Sequence, residues 1–221
     1  MVCFSAEADL IGGVVVGGVG IDALRHVRHK REMALAALPV TFGAHQMIES
    51  LTWWGLDGRV PAVLGEAAMW VYLVIAFLLP TVVPTAVMLV ERDPKRRRMT
   101  APFIALGGAV TVALMVGLFT GPVTAEIGGR YIAYDVSLTY GGQIVALYVA
   151  VTCIPMLLSS RRSIVVFGVL NLAAVTVLAW LMATGVISLW CAWAAVTSIV
   201  IVIHLRTAEN RGPTVRTADV G

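Results

Sequence analysis

Charge is what this chain has least of: 13% of its 221 residues are Asp, Glu, Lys or Arg, about half the share usual in a soluble domain. With 59% hydrophobic residues and a mean hydropathy of +0.88, it has too little polar area to clothe a soluble surface. Cysteine is scarce too. Cys3, Cys153 and Cys191 contain no CxxC pair, which excludes a disulfide-rich scaffold. No P-loop, GxSxG or HExxH motif occurs, and no polar block is large enough for a nucleotide-binding or catalytic module. An ATP-driven pump and a receptor kinase are thereby excluded. None of the apolar stretches alternates in polarity, which excludes a membrane β-barrel. No convincing internal repeat supports an inverted-repeat transporter. No basic region precedes the first apolar stretch, which carries Glu7 and Asp9 instead, so no cleavable signal peptide is expected.

What the chain does have is long apolar blocks, and blocks of roughly 18 or more such residues read as bilayer-spanning helices. The blocks predict an all-α, polytopic membrane protein, a seven-transmembrane-helix bundle with spans at about 8–24, 33–54, 67–90, 99–120, 140–159, 163–183 and 188–206. Residues 1–206 form the single predicted domain, and 207–221 a disordered cytoplasmic tail. Prolines in the third and fifth spans (Pro80, Pro84 and Pro155) predict kinks. Of the 16 lysines and arginines, 14 fall in alternate connections and the tail, and only Arg59 and Arg130 in the other set. The basic side is expected to be cytoplasmic, with the N-terminus outside and the C-terminus inside. The RDPKRRR run at 92–98 then reads as a topogenic loop facing lipid headgroups. The net charge of +3 gives no reason to expect nucleic acid as a partner. One outer connection, 121–139, mixes β-formers with glycine and is expected to form a short hairpin or a lid over the bundle mouth.

The second block holds the most informative constellation: His45, Gln46, Glu49 and Trp53. Spacing of four aligns His45, Glu49 and Trp53 in one stripe. At 1.5 Å per residue Glu49 lies about 7 Å and His45 about 13 Å below the outer end of the helix. An acid at that depth is costly, so it should face the bundle interior or a wet cavity and be paired or protonated. Apart from Arg206, the last residue at the inner end of the seventh, no lysine or arginine falls within the spans to neutralise it. Glu49 and His45 are therefore the candidate catalytic or proton-handling pair, against the alternative of a protonated Glu joining two helices. Gln46, Trp53, Tyr131 and Trp190 are candidate ligand-binding residues, although Trp53 and Trp54 also suit an interfacial aromatic belt.

Cys3 and Cys191 fall at one depth near the outer face. They suit a disulfide, two separate packed thiols, or, with His45 or Glu49, a metal site. Cys153 reads as packing. Glu66 either lines the same outer vestibule or faces headgroups; His204 reads as interfacial; Gln143 and Asn171 suit hydrogen bonds between helices. A lysine is missing from the seventh span, which argues against a retinal Schiff-base pump.

In VCFSAEA (2–8), REMALAALP (31–39) with FGAHQMIE (42–49), PMLLSSRR (155–162) and SLWCAWAA (188–195), the chain resembles an uncharacterised bacterial membrane-protein family with an N-terminal Met-Cys-Phe-Ser-Ala signature. Val2, between Met1 and Cys3, departs from that signature. The resemblance covers essentially all seven spans and implies a multi-pass protein of the bacterial cytoplasmic (inner) membrane; it brings no activity. Cys3, Gln46, Glu49, Trp190 and Cys191 all fall inside the family-like motifs.

The expected function is therefore binding of a hydrophobic small molecule, lipid or cofactor at a polar site around Glu49 in the outer half of the bundle. No particular cofactor is specified, the lipid bilayer is the one expected macroscopic partner, and protein partners are unspecified. Alternatives are a membrane-embedded enzyme acting on a lipid or isoprenoid by acid catalysis, a proton-coupled transporter or sensor, and an accessory subunit of a membrane complex. No acid occurs in the seventh span to serve as the second acid that a terpene-cyclase-like enzyme is expected to use.

Overall fold

The computed structural model describes residues 5–27, 29–129 and 131–181, together with Trp193 and Ile203. These are mostly helical: α1 (Ala6–Arg25), α2 (Lys30–Leu56), α3 (Ala62–Val90), α4 (Pro94–Thr120), α5 (Gly141–Leu157) and α6 (Arg162–Leu181), with strands β1 (Val123–Ile127) and β2 (Ile132–Val136) between α4 and α5. The expected seventh span, 188–206, lies outside the described residues apart from Trp193 and Ile203, as does the tail. Trp193 Nε1 donates to the Leu170 carbonyl of α6 at 3.2 Å.

Local chemistry sets the helix ends. Ser5 caps α1, its hydroxyl accepting from Ala8 N at 3.3 Å, with Glu7 and Asp9 in the first turn where the helix dipole favours acids. Asp93 caps α4 in the same way, accepting from Lys95 N at 2.9 Å, and Pro94 occupies a first-turn position where no N–H is needed. Gly58, at φ +71°, turns the chain between α2 and α3 in a conformation other residues adopt at a cost.

Helix α3 is central, packing on α2, α4 and α5, while α1 packs on α2 and α6 on α5. Its prolines are answered by neighbouring helices. Pro80 has no N–H for the Ala76 carbonyl, and the Tyr148 hydroxyl of α5 donates to that carbonyl at 2.8 Å. Pro84 likewise frees the Pro80 carbonyl, which lies against Gly107 of α4 so closely that any Cβ there would collide with it. Prolines also occur inside α2 (Pro39) and α4 (Pro102), beyond the two proline-bearing spans expected to kink.

Among the described residues, α3 and α4 are long and apolar enough to cross a membrane, whereas α5 and α6 contribute shorter apolar stretches. Helices α1 and α2 fall short of that standard for a physical reason. Glu7, Asp9, Asp22 and Arg25 lie in α1, and His45, Gln46, Glu49 and Ser50 in α2. Much of this polarity is turned inward: Asp9, His45, Gln46, Glu49 and Ser50 are all buried. The two helices approach closely through glycine, since a Cβ on Gly43 would strike the backbone of Gly13 and Gly17.

The connections gather at two ends. At one end, Arg59 of the α2–α3 turn pairs with Glu7 at 2.6 Å, and Ala6, Trp53 and Ile132 share a small core. At the other, the turns carrying most of the basic residues meet. Arg96 donates to the carbonyls of Leu158 (2.8 Å) and Ser159 (3.2 Å), and Arg161 lies 3.5 Å from Glu32.

Buried Glu91 is the centre of this second end. Its Oε1 accepts from Arg92 N (2.9 Å), Asp93 N (3.0 Å) and the Ser160 hydroxyl (2.6 Å). Its Oε2 accepts from Ser160 N (2.7 Å) and the Ser159 hydroxyl (3.2 Å). Burial alone would raise its pKa, but donation from the Ser160 hydroxyl, the backbone N–H groups and the Ser159 hydroxyl outweighs that and holds it down at about 2.

Candidate functional site

The α2 stripe projects into the bundle. Glu49 is 0% exposed, His45 1%, Gln46 3% and Trp53 5%. Three elements converge on Glu49. From its own helix, Gln46 Nε2 lies 3.5 Å from Oε2. From the hairpin, the Tyr134 hydroxyl donates to Oε1 at 3.3 Å. From α3, Tyr72 inserts its ring between His45 and Tyr134, stacking on His45 at 3.8 Å between centroids and on Tyr134 at 4.9 Å.

Strand alternation explains how the 121–139 connection covers this site. The antiparallel register pairs Ala125 with Tyr134 and Ile127 with Ile132. Val123, Ala125, Tyr134 and Val136 pack against the core, while Thr124, Glu126 and Asp135 face outward. Gly129, at φ +87°, makes the hairpin turn. Tyr131 belongs to that turn, where its carbonyl accepts from Gly128 N at 2.9 Å and its ring lies over Gly128.

Geometry fixes the tautomer of neutral His45. Its Nε2 lies 2.9 Å from the Tyr72 carbonyl oxygen, which only accepts, so Nε2 carries the hydrogen. Nδ1 is then an acceptor, and among the described residues it has no hydrogen-bond partner although it is buried. A buried acceptor in this state is usually met by water or ligand.

Sequence reasoning missed one acid. Buried Asp9 of α1 accepts from Trp53 Nε1 at 2.9 Å. Trp53 is thus a core residue with its N–H committed to Asp9, not part of an interfacial belt. Since Trp53 follows Glu49 by one helical turn, the pairing brings a second buried carboxylate beside the same stripe. In the sequence Asp9 stood out only as an acid at the start of the first apolar stretch. The missed signal was its spacing from Gly13 and Gly17, which puts it on the face of α1 turned to α2.

Other expectations resolve individually. Glu66 and Gln143 are exposed, so Glu66 does not line the buried site and Gln143 is not a buried interhelical link. Asn171 is buried and donates to the Phe167 carbonyl of its own helix at 2.8 Å. Cys153 is a free, buried thiol. Cys3, Trp190 and Cys191 lie outside the described residues, and with them the disulfide and the cysteine metal ligands; His204 lies there too. Among the described residues no group of three or more His, Cys, Asp or Glu side chains is placed to hold a metal ion.

Against known proteins, a family model described as a family of unknown function (DUF6629) matches residues 2–218. No curated protein and no solved structure matches.

Proposed function

The chain belongs to this family of unknown function, so its activity has to be read from its own residues. We propose that it is a seven-helix protein of the bacterial inner membrane, N-terminus outside, that binds a small, largely apolar molecule through a polar group at Glu49. Two observations support the membrane reading. Helices α3 and α4 are long and apolar enough to span a bilayer. The basic turns also lie together at one end, joined through Glu32, Glu91 and Arg96, while Arg59 stands at the other with Glu7.

One observation carries the ligand reading: an entirely buried Glu49 is covered by a hairpin tyrosine and lies a turn from a histidine with an unused acceptor. A ligand hydroxyl or amine would donate to His45 Nδ1, and Glu49 would accept a second hydrogen or exchange a proton with the ligand. Tyr134 would yield its bond to Glu49 as the hairpin lifts. Bringing the donor is the ligand's part, because two of the groups that meet it are acceptors. The aromatic column of His45, Tyr72 and Tyr134 would flank the ligand's apolar body.

A second reading, a proton-coupled carrier or sensor, draws support from Asp9. It supplies a second buried carboxylate, adjacent to the Glu49 stripe through Trp53. Under that reading, Glu49→Gln would abolish pH-dependent flux in proteoliposomes.

Native mass spectrometry of protein purified in mild detergent, wild type beside Glu49→Gln, tests the ligand reading. The expected wild-type spectrum carries a stoichiometric small-molecule adduct that falls at least tenfold in occupancy in Glu49→Gln. A wild type without an adduct, even after incubation with total membrane lipid extract, would sink it.

A further inference from the structure

The basic end holds a pocket of about 340 Å³ that plays no part at Glu49. Its walls come from the start of α2, the α3–α4 turn and the α5–α6 turn, and include His29, Lys30, Glu32, Glu91, Arg92 and Arg161. The two acids in it are engaged. Glu91 receives five hydrogen bonds from Arg92, Asp93, Ser159 and Ser160, and Glu32 faces Arg161 at 3.5 Å. Lys30 and Arg92 are different: among the described residues neither side chain forms an ion pair. With Arg161, they give the lining three cations against two carboxylates, an excess of positive charge that suits an anion. The first turn of α2 adds to this, because its N-cap residue, His29, offers no side-chain hydrogen bond to the backbone N–H groups there.

We propose that this pocket holds the phosphate of an anionic phospholipid headgroup, with Lys30 and Arg92 as its cationic contacts. Phosphate is the shared chemistry of a lipid headgroup and a soluble phosphate, and position favours the lipid. Val90, the last residue of the apolar helix α3, lines the pocket. Met33, one turn along α2 from Lys30, is 52% exposed and adds an apolar side chain on that side of the helix. The inference rests on the membrane reading above but is independent of any ligand at Glu49.

The test uses the full chain in a neutral detergent, with lipid retention read by native mass spectrometry and unfolding temperature read in parallel. Probes are phosphatidylglycerol, phosphatidylcholine and inorganic phosphate. Variants are Lys30→Gln with Arg92→Gln, and, as a charge-matched control outside the pocket, Arg97→Gln with Arg98→Gln. Phosphatidylglycerol is expected to be retained and to raise the unfolding temperature, with phosphatidylcholine well behind. The pocket pair should lose roughly 25-fold in apparent affinity, at about fivefold per basic residue, with the lipid-free unfolding temperature unchanged. The control pair should lose less than threefold.

Equal losses in the two pairs would overturn the pocket in favour of diffuse attraction. Retention unaffected by either pair would overturn it outright. Saturation by inorganic phosphate alone would overturn the lipid assignment. Failure of the membrane reading is separately visible, as protein that partitions to the soluble fraction without detergent.

Discussion

Alanine in place of Glu91 is expected to destabilise the protein by about 3 kcal/mol or more, since a hydrogen bond to a charged group contributes about 1.5–3 kcal/mol and several are lost together. Five donors converge on this carboxylate, two of them from the α5–α6 turn through Ser160 and a third through Ser159. Truncation leaves the backbone N–H groups of Arg92, Asp93 and Ser160 to find water in a tight turn. For a chain of this size the loss corresponds to a fall of roughly 10 °C in unfolding temperature, measurable by scanning fluorimetry in detergent. Glutamine should recover only part of it, because its amide NH₂ would face donors.

The same site fixes a pH dependence. Glu91 has a pKa of about 2 in the folded protein against an ordinary 4.5. Its contribution is therefore complete above pH 4.5 and lost as the pH falls from there through 2. The difference corresponds to roughly 3 kcal/mol. Wild type should lose stability across that acid range, and Glu91→Gln should lose clearly less. An unchanged unfolding temperature in Glu91→Ala would remove Glu91 from the role given to it here.

Valine at Gly43 is expected to be the other severe substitution, at about 3 kcal/mol or more, at the upper end of overpacking costs. A Cβ at this position would meet the backbone N and Cα of Gly17 and lie 2.7 Å from the Gly13 carbonyl oxygen. These are backbone atoms, so no rotamer change can relieve the clash. Helices α1 and α2 must separate, and the Asp9–Trp53 bond between them would lengthen. Gly18 provides the contrast: nothing lies within 4 Å of a Cβ there. Alanine at Gly18 should be neutral, or stabilising by up to about 1 kcal/mol through helix propensity. Unfolding temperatures of the two variants side by side check the pair.

Much of the helical framework was legible because long apolar blocks leave few other structures open. The Glu49 stripe was legible for a related reason, since polar residues at a spacing of four stand out against an apolar background. The 121–139 hairpin was only half legible: β-formers and glycine pointed to it, but alternation alone could not say that Tyr134 would meet Glu49. Asp9 and Glu91 were hidden by position. Each lies at the border of an apolar block, where an acid ordinarily faces water or headgroups, and burial there depends on segments distant in sequence. Trp53 lies 44 residues from Asp9, and Ser159 lies 68 from Glu91. The N–H partner of Trp53 was hidden for the same reason, as it stands on another helix.

The most direct measurement of the central proposal is a density map of the protein purified from membranes, at a resolution that separates side chains from bound molecules. A ligand at the site would give non-protein density within hydrogen-bond distance of His45 Nδ1 and beside Glu49, beneath Tyr134. Protein atoms packed closely around both groups, with the Tyr134 hydroxyl on Glu49 and no density between them, would contradict it.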